Sequence, residues 1–581
     1  MKRSLALLLF LAASARAQDA AEFLDLSSLR APAPPETFPR LFVPSDPWIK
    51  GFSNEGPEPG SAFETQPAPY DDYVISPGVL ASLIGQLVPE YPVLEERPGG
   101  PRFTETPERA ARVVASLTYL REAMARPLPV SASLFAADGG DGSRLVAAGG
   151  AELAPRRWTQ LFFQKSVRGF VVSYDVQVSQ EAVAAAPVLS LQSEGAELYL
   201  RFTPGETVSL LEILVCAVDH LHPFAVDLSA IRNVPESSTM GKIELPRSAV
   251  RRTYAVLLVP AGRASNQTIS WEGPGGGRTL SVRAGALPAS PPDLEVEEGL
   301  RKGILRAGAL LAPLSEQQRP HAMDQFLERY AGADEMPAPD SLASCWLFAE
   351  GPKEKMEAFR ALVVREEGRL RGAVVELRAV AVPETPLREA MASGKLALGG
   401  GMTPAQVGAL VEAAGVPICS ARMPLLAGVR ASVRAGASVA MLTGADAVVA
   451  QQAGGLQPRI AARFEGLAAS IVAARAPDGG WRLEIDGSLA WARPDGSVAE
   501  LAFRPPVGMA FSNAGAKKEE TEIRRVPLPI GAYGEAALGA AANLSDEEVA
   551  EGRTLLLAVV SSAGRAGFSE TVVVTATVTS P

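Results

Sequence analysis

The side chains best suited to metal or proton chemistry in this chain are its three histidines, His220, His222 and His321. In Asp219-His220-Leu221-His222 two imidazoles stand two residues apart. That spacing puts both on one face of a strand, where they can share a metal ion. No third ligand follows from the sequence, and histidines at a strand edge or on the surface are the competing reading. A Ser-His-Asp triad would have to draw on the same three residues, and no Gly-x-Ser-x-Gly elbow accompanies them. The glycine runs Gly275-Gly276-Gly277 and Gly399-Gly400-Gly401 lack the lysine of a phosphate-binding loop and the GxGxxG pattern, so they read as turns. The acid pairs Asp71-Asp72 and Glu95-Glu96 lie in polar or proline-rich stretches and read as solvated charge. The expectation is a protein without catalytic residues, cofactor or metal, with His220 and His222 as the metal candidates if there is one.

Composition narrows the classes further. The 581 residues carry a formal net charge of −10, which argues against nucleic acid, whose binding needs a basic face to displace counterions. A hydrophobic content of 47% is that of a globular protein, and the length calls for about three or four cores. Cys216, Cys345 and Cys419 are too few and too scattered for a disulfide scaffold or a zinc cluster, and burial as small apolar residues is expected.

The elements that would position any site begin with an export segment. Lys2 and Arg3, the apolar run Leu5 to Ala13, and Ala15-Arg16-Ala17 form the three parts of a cleavable secretory signal over 1–17. No later segment is apolar and long enough for a membrane helix, which leaves membrane β-strands open. Residues 18–72 are rich in proline and poor in periodicity, as in Ala31-Pro32-Ala33-Pro34-Pro35, and read as an extended arm.

The remainder repeats. Thr106-Pro107-Glu108 lines up with Gly351-Pro352-Lys353 at an offset of 245, each placing a proline at the first helical position. Ala110, Val113, Val114, Leu117 and Leu120 make one apolar helix stripe, and Met356, Phe359, Leu362 and Val363 make its counterpart. Strands follow at the same offset, Leu128 to Leu134 and Ala373 to Ala379. Farther on the offset is 271: Asp175 matches Asp446, Gln180 matches Gln451, Pro187 matches Pro458, and Glu194-Gly195 matches Glu465-Gly466. After one residue of slippage Leu211-Glu212-Ile213 matches Leu483-Glu484-Ile485. An insertion of 26 residues in the second copy explains the change of offset, and Arg388 to Ala414 is its natural place. Each copy ends on a Val-x-x-Gly-Arg element, Val259 to Arg263 and Val549 to Arg553. The fold class expected is α+β, strand-rich: a first unit over 73–289, a mostly helical connector over 290–345 and a second unit over 346–581.

Laid out this way, the chain resembles the secretins of bacterial type II and type III secretion systems. Three stretches carry the resemblance. The first is Val79 to Val88, the helix from Thr106-Pro107-Glu108-Arg109 and the strand from Val130, similar to a periplasmic domain that precedes a secretin core. The second runs from Val375 to Val382 through Met402-Thr403-Pro404-Ala405-Gln406 and Cys419-Ser420-Ala421-Arg422-Met423-Pro424 to the turn at Ala435-Gly436. The third is Glu465-Gly466-Leu467 with Asp478-Gly479, then Val549 to Leu557. Membership implies an envelope protein of the periplasm or outer membrane. It also implies self-association, or association with other secretion components, through strand pairing at exposed edges, with possible contact to the outer membrane. In that family the subunits ring together into an outer-membrane channel. The rival readings are a secreted β-rich binding module that forms no pore, and a metal-dependent hydrolase using His220 and His222.

Overall fold

The computed structural model describes residues 107–137, 143–178, 183–227, 242–297, 299–311, 346–382, 417–449, 454–476, 479–503, 524–560 and 571–580, with short pieces between and before them. The export segment over 1–17, most of the arm over 18–72, Cys345, His321 and the helix expected from Thr403 lie outside the described residues. Within the arm, Ala20–Phe23 pairs with Gly100–Glu105.

Helix α1 (Pro107–Met124) buries Val113, Leu117, Leu120 and Met124, spaced three to four apart on one face. The strands β1 (Leu128–Ala137), β2 (Ser143–Leu153), β3 (Thr159–Val178) and β4 (Val183–Thr203) follow. After them come β5 (Val208–His220), β6 (Arg247–Pro260), β7 (Ser265–Glu272) and β8 (Arg278–Ala284). Two shorter strands, β9 (Leu300–Arg306) and β10 (Trp346–Pro352), pair with each other and lead into α2 (Lys353–Glu367). Pro352 stands at the N-cap of α2, one place before the first turn where the sequence spacing put it. A second series then runs β11 (Gly372–Val382), β12 (Pro417–Leu426), β13 (Arg430–Val449) and β14 (Gly454–Arg475). It continues with β15 (Trp481–Phe503), β16 (Arg524–Leu544), α3 (Asp546–Glu551), β17 (Arg553–Val560) and β18 (Thr571–Thr579).

The stretch 290–345 differs from its expected helical character where it is described. Leu294–Glu297 pairs with β9, and the helix there is the single turn Gly308–Leu311. Leu294-Glu295-Val296-Glu297 alternates apolar and charged residues, a period of two that suits a strand once β9 offers a partner.

The α+β, strand-rich class is what the structure has. An eight-stranded sheet has the order β16-β15-β14-β13-β6-β5-β4-β3. The second, nine-stranded sheet runs from Gly401–Met402 through β17-β18-β11-β12-β7-β8-β1-β2. Their facing sides share one core, in which Val130 and Leu134 of β1 and Val375 and Leu377 of β11 belong to the same cluster as Ile213 and Val215 of β5 and Val433 of β13. This is the interdigitation of a two-sheet sandwich. Trp271, almost fully buried, crosses between the layers by donating its indole N–H to Thr253 Oγ1 at 2.8 Å.

Each strand from β1 to β8 has a counterpart in the second series, β11 to β18, in the same order within each sheet. The details repeat as well. Val171 faces Leu189 and Ser173 faces Val188 across a bulge between β3 and β4. Leu442 faces Ile460 and Gly444 faces Arg459 across the equivalent bulge between β13 and β14. Gly195 and Gly466 adopt φ of 140° and 139°. The turn entering β3 holds Arg156 at φ 61°, its N–H on Phe202 O; the turn entering β13 holds Gly428 at φ 82°, its N–H on Ala473 O. One residue distinguishes β3 from β13: Gln164 and Lys165 together stand across from Gly195, whereas Gly436 alone faces Gly466. The change of offset falls between β11 and β12, joined by 383–416, where β1 and β2 are joined by 138–142.

Candidate functional site

The histidine pair does not share a strand face. His220 is the last residue of β5, and His222, itself exposed, lies beyond the strand. Leu221 still donates its N–H to Arg247 O at 2.8 Å, the last ladder bond to β6. His220 Nδ1 is 3.4 Å from Ser248 Oγ, its Nε2 is 3.8 Å from Glu194, and its ring meets Phe170 edge-on at 5.6 Å. Among the described residues no three His, Cys, Asp or Glu side chains are placed to hold a metal ion. Cys216 and Cys419 are buried thiols without a disulfide; burial pushes the Cys419 thiol up to about 12.

The buried charges are organised as clamps on the backbone. At one end of the sandwich Arg251 pairs with Asp219 and donates to Pro274 O at 3.0 Å and Gly276 O at 2.9 Å, which fixes the glycine turn between β7 and β8. Gly275 and Gly276 there have φ of 80° and 83°, so this glycine run is a turn. In mid-sheet Glu212 accepts from Arg201 Nε at 2.6 Å and from Tyr254 at 2.8 Å. Burial opposes its ionisation, but Arg201 and Tyr254 outweigh burial and hold its carboxyl below the usual range.

A larger cluster ties the helices to the sheets. Glu367 at the end of α2 accepts the backbone N–H of Glu206 at 2.8 Å and of Thr207 at 2.6 Å, and the Thr207 hydroxyl at 2.7 Å. Glu206 in turn accepts from Arg360 of α2 at 2.8 Å and from the N–H of Arg306 at 2.9 Å. The Arg306 guanidinium caps the end of α1 through Ala123 O and Glu122 O, both at 3.0 Å. These carboxylates are filled by backbone donors and arginines, so they position chain rather than face a substrate.

No local signal in the residues marks where the two strand series meet. They meet through backbone pairing in both layers. β6 pairs antiparallel with β13 from Arg247↔Val439 to Tyr254↔Ser432, and β7 pairs with β12 at Ser270↔Arg422, Trp271↔Ala421 and Glu272↔Ser420. Across the first joint the buried Arg252 and Arg434 face each other, and the Arg434 guanidinium lies 4.0 Å from the Phe464 ring centre. Arg247 of β6 reaches Glu465 of β14 at 2.9 Å; burial raises that carboxyl and the arginine partly offsets it. The outer ends of the eight-stranded sheet are β3 and β16, and those of the other are β2 and the β17 end. Near the β3 end, Val167, Leu189 and Leu191 are exposed at 60%, 61% and 58%, an apolar patch on the hairpin surface. On the other sheet Ser131, Ser133, Ala264, Ser265, Asn266, Ser281 and Arg283 line an open polar recess of about 500 Å³.

No family model matches the chain, and no curated protein matches it. Among solved structures it has a distant likeness to a chain of the Salmonella SPI-1 type III secretion injectisome basal body proteins InvG, PrgH and PrgK. The identity is 10%, the match covers 56% of this chain and 76% of that one, and the TM-score is 0.18.

Proposed function

We propose that the chain is an exported, non-enzymatic structural subunit of a bacterial cell-envelope assembly, of the secretion-associated kind its sequence resembles. One observation carries this reading. Two equivalent strand series are joined by main-chain pairing in both layers, and the eight-stranded sheet ends on β3 and β16, the strands that correspond to the joined ones. Strand addition at such edges is a way of building assemblies from main-chain hydrogen bonds. The buried charges support it, because they clamp helices and turns to the sheets. Fractionation of cells producing the full chain, followed by velocity sedimentation of the solubilised envelope, tests it. A species of several chain masses in the envelope fraction is expected, and a monomer in the soluble fraction overturns it.

The polar recess favours a second reading, a secreted β-rich module that binds a hydroxyl-rich polymer. A soluble monomer retained on an immobilised polysaccharide would select that reading instead.

A further inference from the structure

The joint between β6 and β13 is a template for a contact the chain has not yet made. β13 is the counterpart of β3, and β6 is the counterpart of β16. The molecule therefore shows how a strand of the β16 type pairs with a strand of the β3 type. It also leaves one of each at opposite ends of the same sheet.

We propose that a second copy of this chain docks head to tail, its β16 pairing antiparallel with β3 in the register of the internal joint. The proposal rests on the structural reading above and adds the partner, the strands and the register. Transferring the pairs Thr253↔Val433 and Arg251↔Ala435 to their counterparts sets Leu161 opposite Leu538 and Phe163 opposite Ala536. Tyr254↔Ser432 becomes Gln160 opposite Gly539, and Ser248↔Ser438 becomes Val167 opposite Tyr533.

Three features of the molecule agree with this register. Phe163 and Leu538 belong to the shared core, and Leu161 and Ala536 pack against it, so both inter-chain pairs extend that core past the sheet end without turning a side chain to the wrong face. Val167, 60% exposed, gains Tyr533 as a cross-strand neighbour. The backbone bulge at Gln164-Lys165 falls opposite Glu535 of β16, so the sequence sets a basic and an acidic residue at the same register position. The contact is heterologous, and its repetition closes a ring or extends a filament. In the other layer the ends are β2 and, beyond β17, the short strand Gly401–Met402.

Cysteine crosslinking in cells producing the full chain tests the register directly. Gln160→Cys and Gly539→Cys place two thiols opposite each other, and a Cβ at Gly539 meets nothing within 4 Å. Directly opposed residues suit a disulfide, whereas diagonal ones, at about 7–8 Å, do not. The double variant is expected to give a ladder of covalent multimers on mild oxidation. A mixture of the two single variants is expected to stop at a dimer, and each single variant alone to give none. Gln160→Cys with Ala541→Cys, shifted by two residues, is expected to lose the ladder. Self-crosslinking of a single variant would show a two-fold dimer and overturn the proposal, as would equal yield from the shifted pair. Absence of all adducts would show that the bulge and Lys165 block the β3 edge, and would also overturn it. A large envelope species that fails to crosslink in this register refutes the joint while leaving the structural role standing; a soluble monomer refutes both.

Discussion

Removing the Glu367 side chain isolates the clamp between α2 and the turn before β5. Its carboxylate holds the N–H groups of Glu206 and Thr207 at 2.8 and 2.6 Å, with a longer contact of 3.3 Å from Val208 N–H. A buried donor left without its acceptor costs about 1–3 kcal/mol, and Thr207 is near enough to the surface to recruit water. The two short bonds together then set the loss in Glu367→Ala at about 2–4 kcal/mol. At 1.4 kcal/mol per factor of ten, amides 206–208 should exchange hydrogen roughly 30- to 700-fold faster. Exchange mass spectrometry on a peptide spanning this turn reads the change directly. Glu367→Gln keeps one accepting oxygen and should fall between the two. Burial raises the Glu367 pKa, so the folded chain binds this proton more tightly than the unfolded chain does. The stability linked to it is therefore present below the ordinary carboxylate range and is lost as pH rises through the raised value. The gap between wild type and Glu367→Ala should accordingly widen from about pH 7 to about pH 4. Unchanged protection of these amides in Glu367→Ala, or a gap that closes on acidification, would refute the assignment.

Four further substitutions probe the frame, each by urea unfolding of the full chain. Asp219→Ala strips the carboxylate from buried Arg251, which keeps Pro274 O and Gly276 O, so the cost should be about 2 kcal/mol rather than the 3–5 of a wholly abandoned charge; no loss would show that the carbonyls suffice. Thr253→Val leaves the Trp271 indole N–H without its acceptor in the core and should cost about 1–3 kcal/mol; a neutral result would mean that the bond does not hold the layers. Gly466→Ala drives a Cβ into Ala435 O at φ 139° and should cost about 2–4 kcal/mol, while Gly444→Ala, with open space around it, should stay within about 0.5 kcal/mol; equal costs would contradict the close crossing of β13 and β14.

The parts of the fold that announce themselves in the sequence are those with local causes. The apolar stripe from Val113 to Leu120 gives α1, and the alternation from Ala373 to Ala379 gives β11. The matched Glu194-Gly195 and Glu465-Gly466 mark places where β4 and β14 need the same φ. Other parts depend on partners distant in sequence. Nothing local tells Arg247 to Tyr254 that Ser432 to Val439 will lie beside them, since any two alternating strands could pair. Buried arginines mislead composition further: Arg252, Arg306 and Arg434 read as surface charge, yet each is almost fully buried. Asp219-His220-Leu221-His222 promised a shared face that the strand, ending at His220, does not provide.

The two ends of the eight-stranded sheet are not copies of the internal joint in every respect, and the difference carries information. In β13 the crossing with β14 is tight, Gly436 against Gly466, and the strand stays regular where β6 lies along it. In β3 the same place holds the two-residue bulge at Gln164-Lys165, which bends a strand and increases its twist. Bulges and lysines are also the means by which natural edges refuse casual partners. An edge that accepts one partner must reject others, so a bulge matched to Glu535 and flanked by the apolar pairs at Leu161 and Phe163 would act as a selector. If that is its role, deleting Lys165 to restore the β13 pattern should leave the fold intact, since β13 folds without the extra residue. It should also weaken the discrimination between the register-matched and shifted cysteine pairs. A deletion that sharpens the discrimination would mean that the bulge is a barrier, and the contact made at β3 would then have to be sought elsewhere on the chain.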